Sequence, residues 1–393
     1  MSDDRTPVIL AARRTPIGRF MGGLSRVPAP DLGAYAITAA MADAKLDPAA
    51  VEEVFMGCVL QAGVGQNPAR QAALKAGIPD AVTAVTINKV CGSGLESVML
   101  AARAIRCGDV EVAVAGGMEN MDLAPHFAHV RAGVKYGPTT MQDHMAFDGL
   151  TCAFEQWPMG NAAEWIAGEH GVSREEQDRF SAASHNRAEA AWEAGHFDAE
   201  VVPLSAEQCK SREGVARDEG FRAGSSAEAL AKLRPAFTKD GSVTAGNASQ
   251  ISDGAAAVVV TSLAKAKALG ATPIATIVDS NTAGLEPKKL FFAPAIGIER
   301  LLAKQGLSVG DIDLFEINEA FAAQVLADIK HLGVPEDKLN VCGGGIALGH
   351  PIGASGARVL VTLLHQLVRT GGTTGVCSLC LGGGNAVSML VRR

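Results

Sequence analysis

The chain has 393 residues, of which 48% are hydrophobic and 20% charged, and its formal net charge is −7 at neutral pH. This acidic balance lacks the basic stripe of a nucleic-acid-binding protein, and no run of about 18 apolar residues predicts a membrane-spanning helix. The first residues carry acids and no long apolar run, so no signal peptide is expected. The eight cysteines lack the spacing of a secreted disulfide scaffold, which predicts reduced thiols and a cytoplasmic location.

Short apolar runs alternate with helical patterns through the first third of the chain. The runs "PVILAA", "VEEVFMGCVL", "VTAVTINKV" and "VEVAVAGGMEN" predict strands. The patterns "DLGAYAITAAMADA" and "LESVMLAARAIRCG" predict helices, and the second helix is expected to end at Gly108. Strands that alternate with helices of this length are typical of βαβ units, whose sheet carries helices on both faces.

Residues 120–251 differ from both ends of the chain because they are more polar and more aromatic. They contain helical patterns, one of which begins with a capping box at Ser173 and Glu176, but few strand signals. We interpret this region as an insertion, and long excursions from a compact α/β domain usually carry function.

The last third repeats the theme of the first. "TPIATIVDS" and "IDLFEINEAFAAQVLADIKHLG" predict strands and a helix. "GASGARVLVTLLHQLVRTGGTTGVCSLCLGGGN" and the earlier "CGSGLESVMLAARAIRCGDVEVAVAGGMEN" share one order: Ser-Gly, apolar helix, Gly, strand, Gly-Gly. This shared order predicts an internal duplication.

Two glycine-rich turns carry residues that could do chemistry. Cys91 in "NKVCGSGL" lies between a predicted strand and a predicted helix, where the positive end of the helix would lower its pKa and make it a nucleophile. A small buried cysteine at a strand end is the equal alternative. His350 lies in "GGGIALGHPIGASG", where dense glycine favours proton transfer near a ligand over a purely structural histidine.

Two further segments are ambiguous by themselves. Asn318 in "EINEAFAA" is either a functional amide or a helix N-cap. Cys377 and Cys380 lie on a predicted strand, where positions three apart point to opposite faces. That geometry weakens a metal or redox role for the pair, and no further Cys-x-x-Cys or histidine cluster completes a four-ligand site. We therefore expect Cys377 in the core, Cys380 near the site, and no metal.

Taken together, these segments resemble the thiolase family. The resemblance runs nearly end to end through "ARRTPIG", "GQNPARQAALKAG", "NKVCGSGLESV", "AGGMENM", "AKLRPAF", "TAGNASQISDGAAA", "NEAFAAQ", "GHPIGASGAR" and "CLGGGN". It implies an α/β fold: a five-layered α-β-α-β-α core of two duplicated βαβαβαββ halves with an inserted loop domain. The implied parts are 1–119 plus 252–272 for the N-terminal half, 120–251 for the loop domain and 273–393 for the C-terminal half.

The resemblance also implies a reaction, which is the reversible Claisen condensation of two acyl-CoA molecules or thiolysis of a 3-ketoacyl-CoA. By position, Cys91 matches the nucleophile that becomes acylated, and His350 matches the histidine that activates it. Cys380 matches the acid/base that moves the α-proton, and Asn318 matches the asparagine that holds a water in one oxyanion hole. The backbone N–H groups of Cys91 and Gly382 match the second oxyanion hole.

The resemblance implies that coenzyme A and acyl-CoA are substrates, that no cofactor is tightly bound, and that the substrates bind at the loop domain. The matching positions are Ser249, Ala248, Arg222, Phe237, Leu150, Met159 and Phe321. The stretch "APHFAHVRAGVKYG" is similar to a tetramerisation loop, so a homotetramer or dimer of dimers is expected, with no nucleic-acid or membrane partner.

Chain-length preference is the point on which the resemblance divides. Phe291 and Phe292 occupy positions near the acyl pocket where acetoacetyl-CoA-type enzymes have smaller residues, whereas the tetramerisation loop favours that type. We expect a short-chain acetyl-CoA acetyltransferase. The alternative is a 3-ketoacyl-CoA thiolase for longer or branched chains in fatty-acid oxidation. A non-catalytic CoA- or lipid-binding relative is disfavoured because Cys91, His350, Asn318 and Cys380 are all present, and the second cysteine argues against a ketosynthase or hydroxymethylglutaryl-CoA synthase.

Overall fold

The structure is a computed structural model that describes residues 3–393. The N-terminal half confirms the predicted alternation of strands and helices, and α3 ends at Gly108, which adopts the left-handed conformation that favours glycine. Its elements are β1 (Pro7–Arg14), β2 (Gly18–Arg19), α1 (Ala29–Asp43), β3 (Glu53–Gly57), α2 (Pro68–Lys75), β4 (Thr83–Ile87), α3 (Ser93–Cys107) and β5 (Val112–Asn120), with 3₁₀ turns at Asp3–Arg5 and Pro48–Ala50.

The middle of the chain is mainly helical and leaves the sheet between two strands that pair with each other. Its elements are β6 (His126–Phe127), β7 (Gln142–Asp143), a π turn (Met145–Gly149), α4 (Met159–Glu169), α5 (Arg174–Glu193) and α6 (Ala227–Leu230). The capping box predicted at Ser173 and Glu176 begins α5. The chain then returns in β8 (Ser252–Ser262), which pairs antiparallel with β5, and continues into α7 (Leu263–Ala268).

The C-terminal half repeats the pattern of the first. Its elements are β9 (Ala275–Gly284), a 3₁₀ helix (Pro287–Phe292), α8 (Ala293–Gln305), a 3₁₀ turn (Val309–Asp311), β10 (Leu314–Ile317), α9 (Ala322–Leu332), α10 (Gly345–Leu348), α11 (Ser355–Thr370), β11 (Thr374–Leu381) and β12 (Asn385–Arg392).

The order of the strands shows the duplication. Within residues 3–393 the large sheet runs β4-β3-β5-β8-β1-β9-β12-β11-β10, with β2 beside β8. In the second half, a single parallel bridge between Phe315 and Leu339 lies beside β10, in the place that β4 takes beside β3 in the first half. Each half therefore has the same order, and the two copies meet where β1 and β9 pair antiparallel.

Five layers follow from which residues bury which face. One apolar cluster joins α1 and α2 to the outer face of the first half-sheet, and another joins α8 and α9 to the outer face of the second. A third cluster lies between the half-sheets and contains α3 and α11, which sheet covers on both sides. The predicted five-layered fold is confirmed.

The close crossing of α3 and α11 explains one pair of glycines. A Cβ atom on Gly94 would lie 2.7 Å from the backbone nitrogen of Ala357, and one on Gly356 would lie 2.3 Å from that of Leu95. Both glycines are the second residue of their helix, so the contact is reciprocal. It brings the loops before the two helices, which hold Cys91 and His350, to the same place.

Candidate active site

A cavity of about 670 Å³ joins chemistry from both halves of the molecule. Cys91, His350, Cys380 and Gly382 line it. Cys91 is more than 250 residues from the other three in the sequence, and the duplicated fold brings them together. Asn318 does not line the cavity; it lies fully buried behind His350.

Cys91 lies in the loop between β4 and α3, as the sequence predicts. The residue before it, Val90, has a φ of 47°, a conformation that costs a β-branched residue energy and is held only where surrounding structure enforces it. Such strain is concentrated at functional sites. The positive φ of Val90 turns the chain so that the Cys91 side chain faces the cavity.

The predicted lowering of the Cys91 pKa is wrong. Burial, with a smaller contribution from the negative charge of Glu119, raises the pKa of the thiol to about 12. The helix α3 begins two residues later, and its positive end does not offset the loss of solvation. Cys91 is therefore a thiol at neutral pH and needs a base to become a nucleophile.

His350 is a neutral base. Burial, with a smaller contribution from the positive charge of Arg358, lowers its pKa to about 3. Its Nδ1 lies 2.6 Å from the Ser355 hydroxyl, whose own proton is donated to the carbonyl of Pro351 at 2.9 Å. Because that hydroxyl has one proton, Nδ1–H must be the donor to Ser355. The lone pair on Nε2 is thereby left to accept a proton.

Asn318 is not a helix N-cap, because α9 begins at Ala322 with Phe321 as its N-cap. Its Nδ2 lies 3.4 Å from His350 Nε2. Its buried Oδ1 has no hydrogen-bond partner among residues 3–393. A buried amide oxygen of this kind is costly to leave unpaired, so its position beside the imidazole favours a role in the site over a structural one.

The two cysteines of β11 face opposite ways, which confirms the strand prediction. Cys377 lies in the cluster between the half-sheets, whereas Cys380 lies in the outer cluster of the second half and lines the cavity. Burial raises the pKa of Cys380 well above its ordinary value, and the neighbouring Cys91 adds to the shift. Both cavity cysteines are therefore thiols in the resting protein.

Gly382 follows β11 in the turn to β12 and faces the loop that holds Cys91, with Val90 3.4 Å from the position of a Cβ atom. Neither Cys91 N–H nor Gly382 N–H donates to a backbone carbonyl within residues 3–393. Two free N–H groups at one wall of a cavity can stabilise an oxyanion.

Every residue that the sequence assigns to CoA binding lines this cavity. They are Ser249, Ala248, Arg222, Phe237, Leu150, Met159 and Phe321. Ser249 N–H donates to the carbonyl of Ala320 at 2.9 Å, and Ala248 pairs with Phe321. These bonds fix the end of the inserted region to the segment that holds Asn318.

Arg19 and Phe20 also line the cavity, and sequence reasoning missed both. Glu219 accepts the backbone N–H groups of Arg19 and Gly23 at 3.2 and 3.0 Å. The guanidinium of Arg19 forms no ion pair within residues 3–393, and neither does that of Arg222. The available signal was the set of glycines around "RFM", namely Gly18, Gly22 and Gly23, since glycines mark a loop whose backbone can approach a ligand.

Phe291 and Phe292 separate in the structure. Phe291 lines the cavity and packs edge-on against Phe321 with ring centroids 5.3 Å apart. Phe292 does not line the cavity; it packs against His170 and His331 with centroids 4.4 and 4.9 Å apart. The expectation that Phe292 lies near the acyl pocket is therefore wrong, because consecutive residues of a 3₁₀ helix point about 120° apart.

No cluster of three or more His, Cys, Asp or Glu side chains suited to a metal ion occurs within residues 3–393. Across the same part of the chain, none of the helices combines the length and apolar character needed to cross a membrane.

Comparisons with known proteins identify the family. Residues 7–264 match the family model "Thiolase, N-terminal domain", and residues 271–393 match "Thiolase, C-terminal domain". The acetyl-CoA acetyltransferase of Cupriavidus necator is 52% identical over 388 residues, covering 98% of this chain and 99% of that protein. The cytosolic acetyl-CoA acetyltransferase of Rattus norvegicus is 50% identical over 388 residues and 98% of each chain.

A solved structure is similar in fold as well. The crystal structure of the Bacillus anthracis acetyl-CoA acetyltransferase superposes with a TM-score of 0.96 at 42% identity, over 98% of each chain. A duplicated five-layered core with two cysteines, a histidine and an asparagine at its junction defines an acyl-transferring enzyme of the thiolase type. The chain belongs to the thiolase family.

Proposed function

We propose that the protein is an acetyl-CoA C-acetyltransferase, which condenses two acetyl-CoA molecules to acetoacetyl-CoA and CoA and catalyses the reverse thiolysis. The observation that carries this proposal is the convergence of Cys91, His350 and Cys380 on one cavity, with Asn318 behind the imidazole. The names of the similar proteins support the same activity.

In the first half-reaction His350 Nε2 takes the proton of the Cys91 thiol, and the sulfur attacks the thioester carbonyl. The acyl group passes to Cys91, and the CoA sulfur leaves with the electron pair of the broken C–S bond. Because Cys380 is a thiol in the resting protein, it supplies a proton to this leaving sulfur, which as a stable thiolate can also depart without one. Cys380 becomes the thiolate, and His350 remains protonated.

The second half-reaction uses the base made by the first. The Cys380 thiolate removes an α-proton from a second acetyl-CoA, and His350 with the amide of Asn318 stabilises the enolate oxygen. The enolate carbon attacks the acyl group on Cys91, with the oxyanion directed at the N–H groups of Cys91 and Gly382. Collapse expels the Cys91 thiolate, which recovers its proton from His350. Cys380 now carries the α-proton in place of the one that it gave to CoA, so Cys91, His350 and Cys380 all end in their starting protonation states.

The polar end of the substrate is assigned to the cavity mouth. Arg19 and Arg222 offer two guanidinium groups free of ion pairs within residues 3–393, on a chain whose net charge is −7. Guanidinium groups recognise phosphate by paired, charge-assisted hydrogen bonds. We assign them to the phosphate groups of CoA, and the apolar residues deeper in the cavity to pantetheine and acyl group.

A short acyl chain is proposed because aromatic rings occupy the deep wall. Phe321 and Phe291 are both buried, and they pack edge-on with ring centroids 5.3 Å apart. These two rings fill space that a longer chain needs. The alternative substrate, a longer or branched 3-ketoacyl-CoA, is the other outcome of a chain-length assay.

Three accompanying proposals concern the whole molecule. The parts are 1–119 plus 252–272, 120–251 and 273–393, supported by the return of β8 to β5. The protein acts as a homotetramer, supported by apolar side chains exposed between β6 and β7, including Val130, Val134 and Tyr136. A cytoplasmic location is supported by eight free cysteines within residues 3–393.

Activity is tested with purified protein, acetoacetyl-CoA and free CoA, by loss of the acetoacetyl-CoA absorbance and by chromatography of the acetyl-CoA formed. The expected result is turnover that is abolished in C91A and H350A. Normal folding of the wild-type protein without turnover of any 3-ketoacyl-CoA from four to twelve carbons would reject the proposal.

A further inference from the structure

Glu119 is a buried carboxyl beside the site to which the mechanism above gives no role. It is the penultimate residue of β5 and has no exposed surface. Its Oε2 accepts the N–H groups of Val59 at 3.0 Å and Gly353 at 2.8 Å. Its Oε1 accepts the N–H of Leu60 at 3.1 Å and lies 3.6 Å from the Cys58 sulfur.

The three backbone N–H groups can only donate, and the Cys58 thiol can serve as a fourth donor, so each carboxylate oxygen can accept two hydrogen bonds. The arrangement therefore fits an ionised carboxylate. Burial raises the pKa of Glu119 to about 7, while the three backbone N–H donors and Cys58 oppose that shift. At pH 8, above that value, the carboxylate form predominates.

The four bonds join three separate segments. Val59 and Leu60 follow β3, Glu119 ends β5, and Gly353 follows His350 by three residues. The side chains of Val59, Leu60, Met121 and Ile352 form one small apolar cluster, and Cys91 packs against it. Of these four, Met121 and Ile352 also line the cavity, so the carboxylate connects the backbone on which the surroundings of Cys91 are built.

The groups that face Cys91 are few. Glu119 acts on it electrostatically, His350 and Cys380 share its cavity, and its own helix contributes the backbone N–H groups of the first turn of α3. Glu119 is the negative member of this set. A fixed negative charge in a buried setting opposes formation of a second one nearby.

We propose that Glu119 is a positioning residue of this active site: it ties the three loops around Cys91 together, and its carboxylate disfavours a thiolate at Cys91 before His350 takes the proton. This arrangement keeps the nucleophile inert toward other electrophiles in the absence of acyl-CoA. The part that concerns acylation rests on the proposed function, whereas the part that concerns the thiol does not.

Two variants separate charge from structure. E119Q keeps the length of the side chain and removes the charge, whereas E119D keeps the charge and shortens the reach by one methylene. D328N is the matched control, because Asp328 is also a fully buried carboxyl but acts electrostatically on Cys380. Circular dichroism and thermal melting establish that each variant is folded.

The first readout is the rate at which iodoacetamide alkylates Cys91 at pH 8, resolved by peptide mass spectrometry. E119Q should react about tenfold faster, because a fall of about one unit in the thiol pKa raises the thiolate fraction about tenfold. E119D and D328N should stay within about twofold of wild type. An unchanged rate in E119Q, or an equal rise in E119Q and E119D, overturns the electrostatic role.

The second readout is single-turnover acylation of Cys91 by acetoacetyl-CoA. E119D should be slower by about tenfold with less than a twofold change in KM for CoA, because the shorter side chain cannot bridge both loops. Wild-type acylation in E119D overturns the positioning role, even where E119Q fails to fold. Absence of Cys91 acylation in the wild-type protein rejects the proposed function instead, so the two failures are distinguishable.

Discussion

Replacing Phe291 with leucine should lengthen the preferred acyl chain. Phe291 is almost completely buried at the deep wall, with its ring centroid 5.3 Å from that of Phe321. Leucine is smaller by about three carbon atoms, which makes room for about two methylene groups of substrate. At about 0.8 kcal/mol per buried methylene, a six-carbon 3-ketoacyl-CoA should gain about 1.6 kcal/mol relative to the four-carbon substrate.

That gain corresponds to about a 15-fold rise in the ratio of kcat/KM for the six-carbon and four-carbon substrates. The assay is thiolysis of 3-ketoacyl-CoA substrates from four to ten carbons by wild type, F291L and F292L. F292L is the matched control, since Phe292 packs against His170 and His331 and does not line the cavity. The same ratio in F291L as in wild type, or an equal change in F292L, would refute the assignment of this wall to the acyl chain.

Three further predictions concern other parts of the site. R19Q should raise KM for acetyl-CoA about tenfold, because it removes one charge-assisted contact, but it should leave turnover of acetyl-pantetheine, which has no phosphate, unchanged. R26Q is the control, since Arg26 is exposed. An equal effect of R19Q on both substrates would contradict the assignment of Arg19 to phosphate. C380S should keep most acylation of Cys91 but slow condensation about 1000-fold, because the α-proton then has no base to remove it. C377A is the control and should retain most activity. Equal loss of both half-reactions in C380S would exclude Cys380 as the α-proton base. Burial raises the pKa of Cys91 to about 12 and lowers that of His350 to about 3. The alkylation rate of Cys91 should therefore rise about tenfold per pH unit from pH 7 to 9, because the thiolate fraction rises by that factor. A plateau in that range would instead indicate a thiolate–imidazolium pair.

The sequence predicted the fold well because its strands and helices have strong local patterns. The duplication could be predicted from two matching Ser-Gly, helix, Gly, strand, Gly-Gly segments, and the shared strand order confirms it. The opposite directions of Cys377 and Cys380 followed from strand geometry alone. These are properties of neighbouring residues in the chain.

What the sequence could not predict depends on partners distant in the chain. The pKa of Cys91 depends on burial and on Glu119, neither of which is visible in "NKVCGSGL", so the positive end of α3 was given too much weight. Arg19 was missed because its place at the cavity depends on Glu219, 200 residues later. The sequence could not distinguish Phe291 from Phe292, because their surroundings are set by residues distant in the chain: Phe321 for the first, and His170 and His331 for the second.

The thiolase family assignment is confirmed by both family models. The proposed mechanism requires that Cys91 carries the acyl group. Brief treatment with acetyl-CoA, followed by acid quenching and peptide mass spectrometry, tests this requirement. We expect a 42 Da increase, the mass of an added acetyl group, on the peptide that contains Cys91; the increase should be lost on addition of free CoA and absent in C91A. Acetylation at Cys380 or elsewhere in place of Cys91, or turnover by C91A at the wild-type rate, would contradict it.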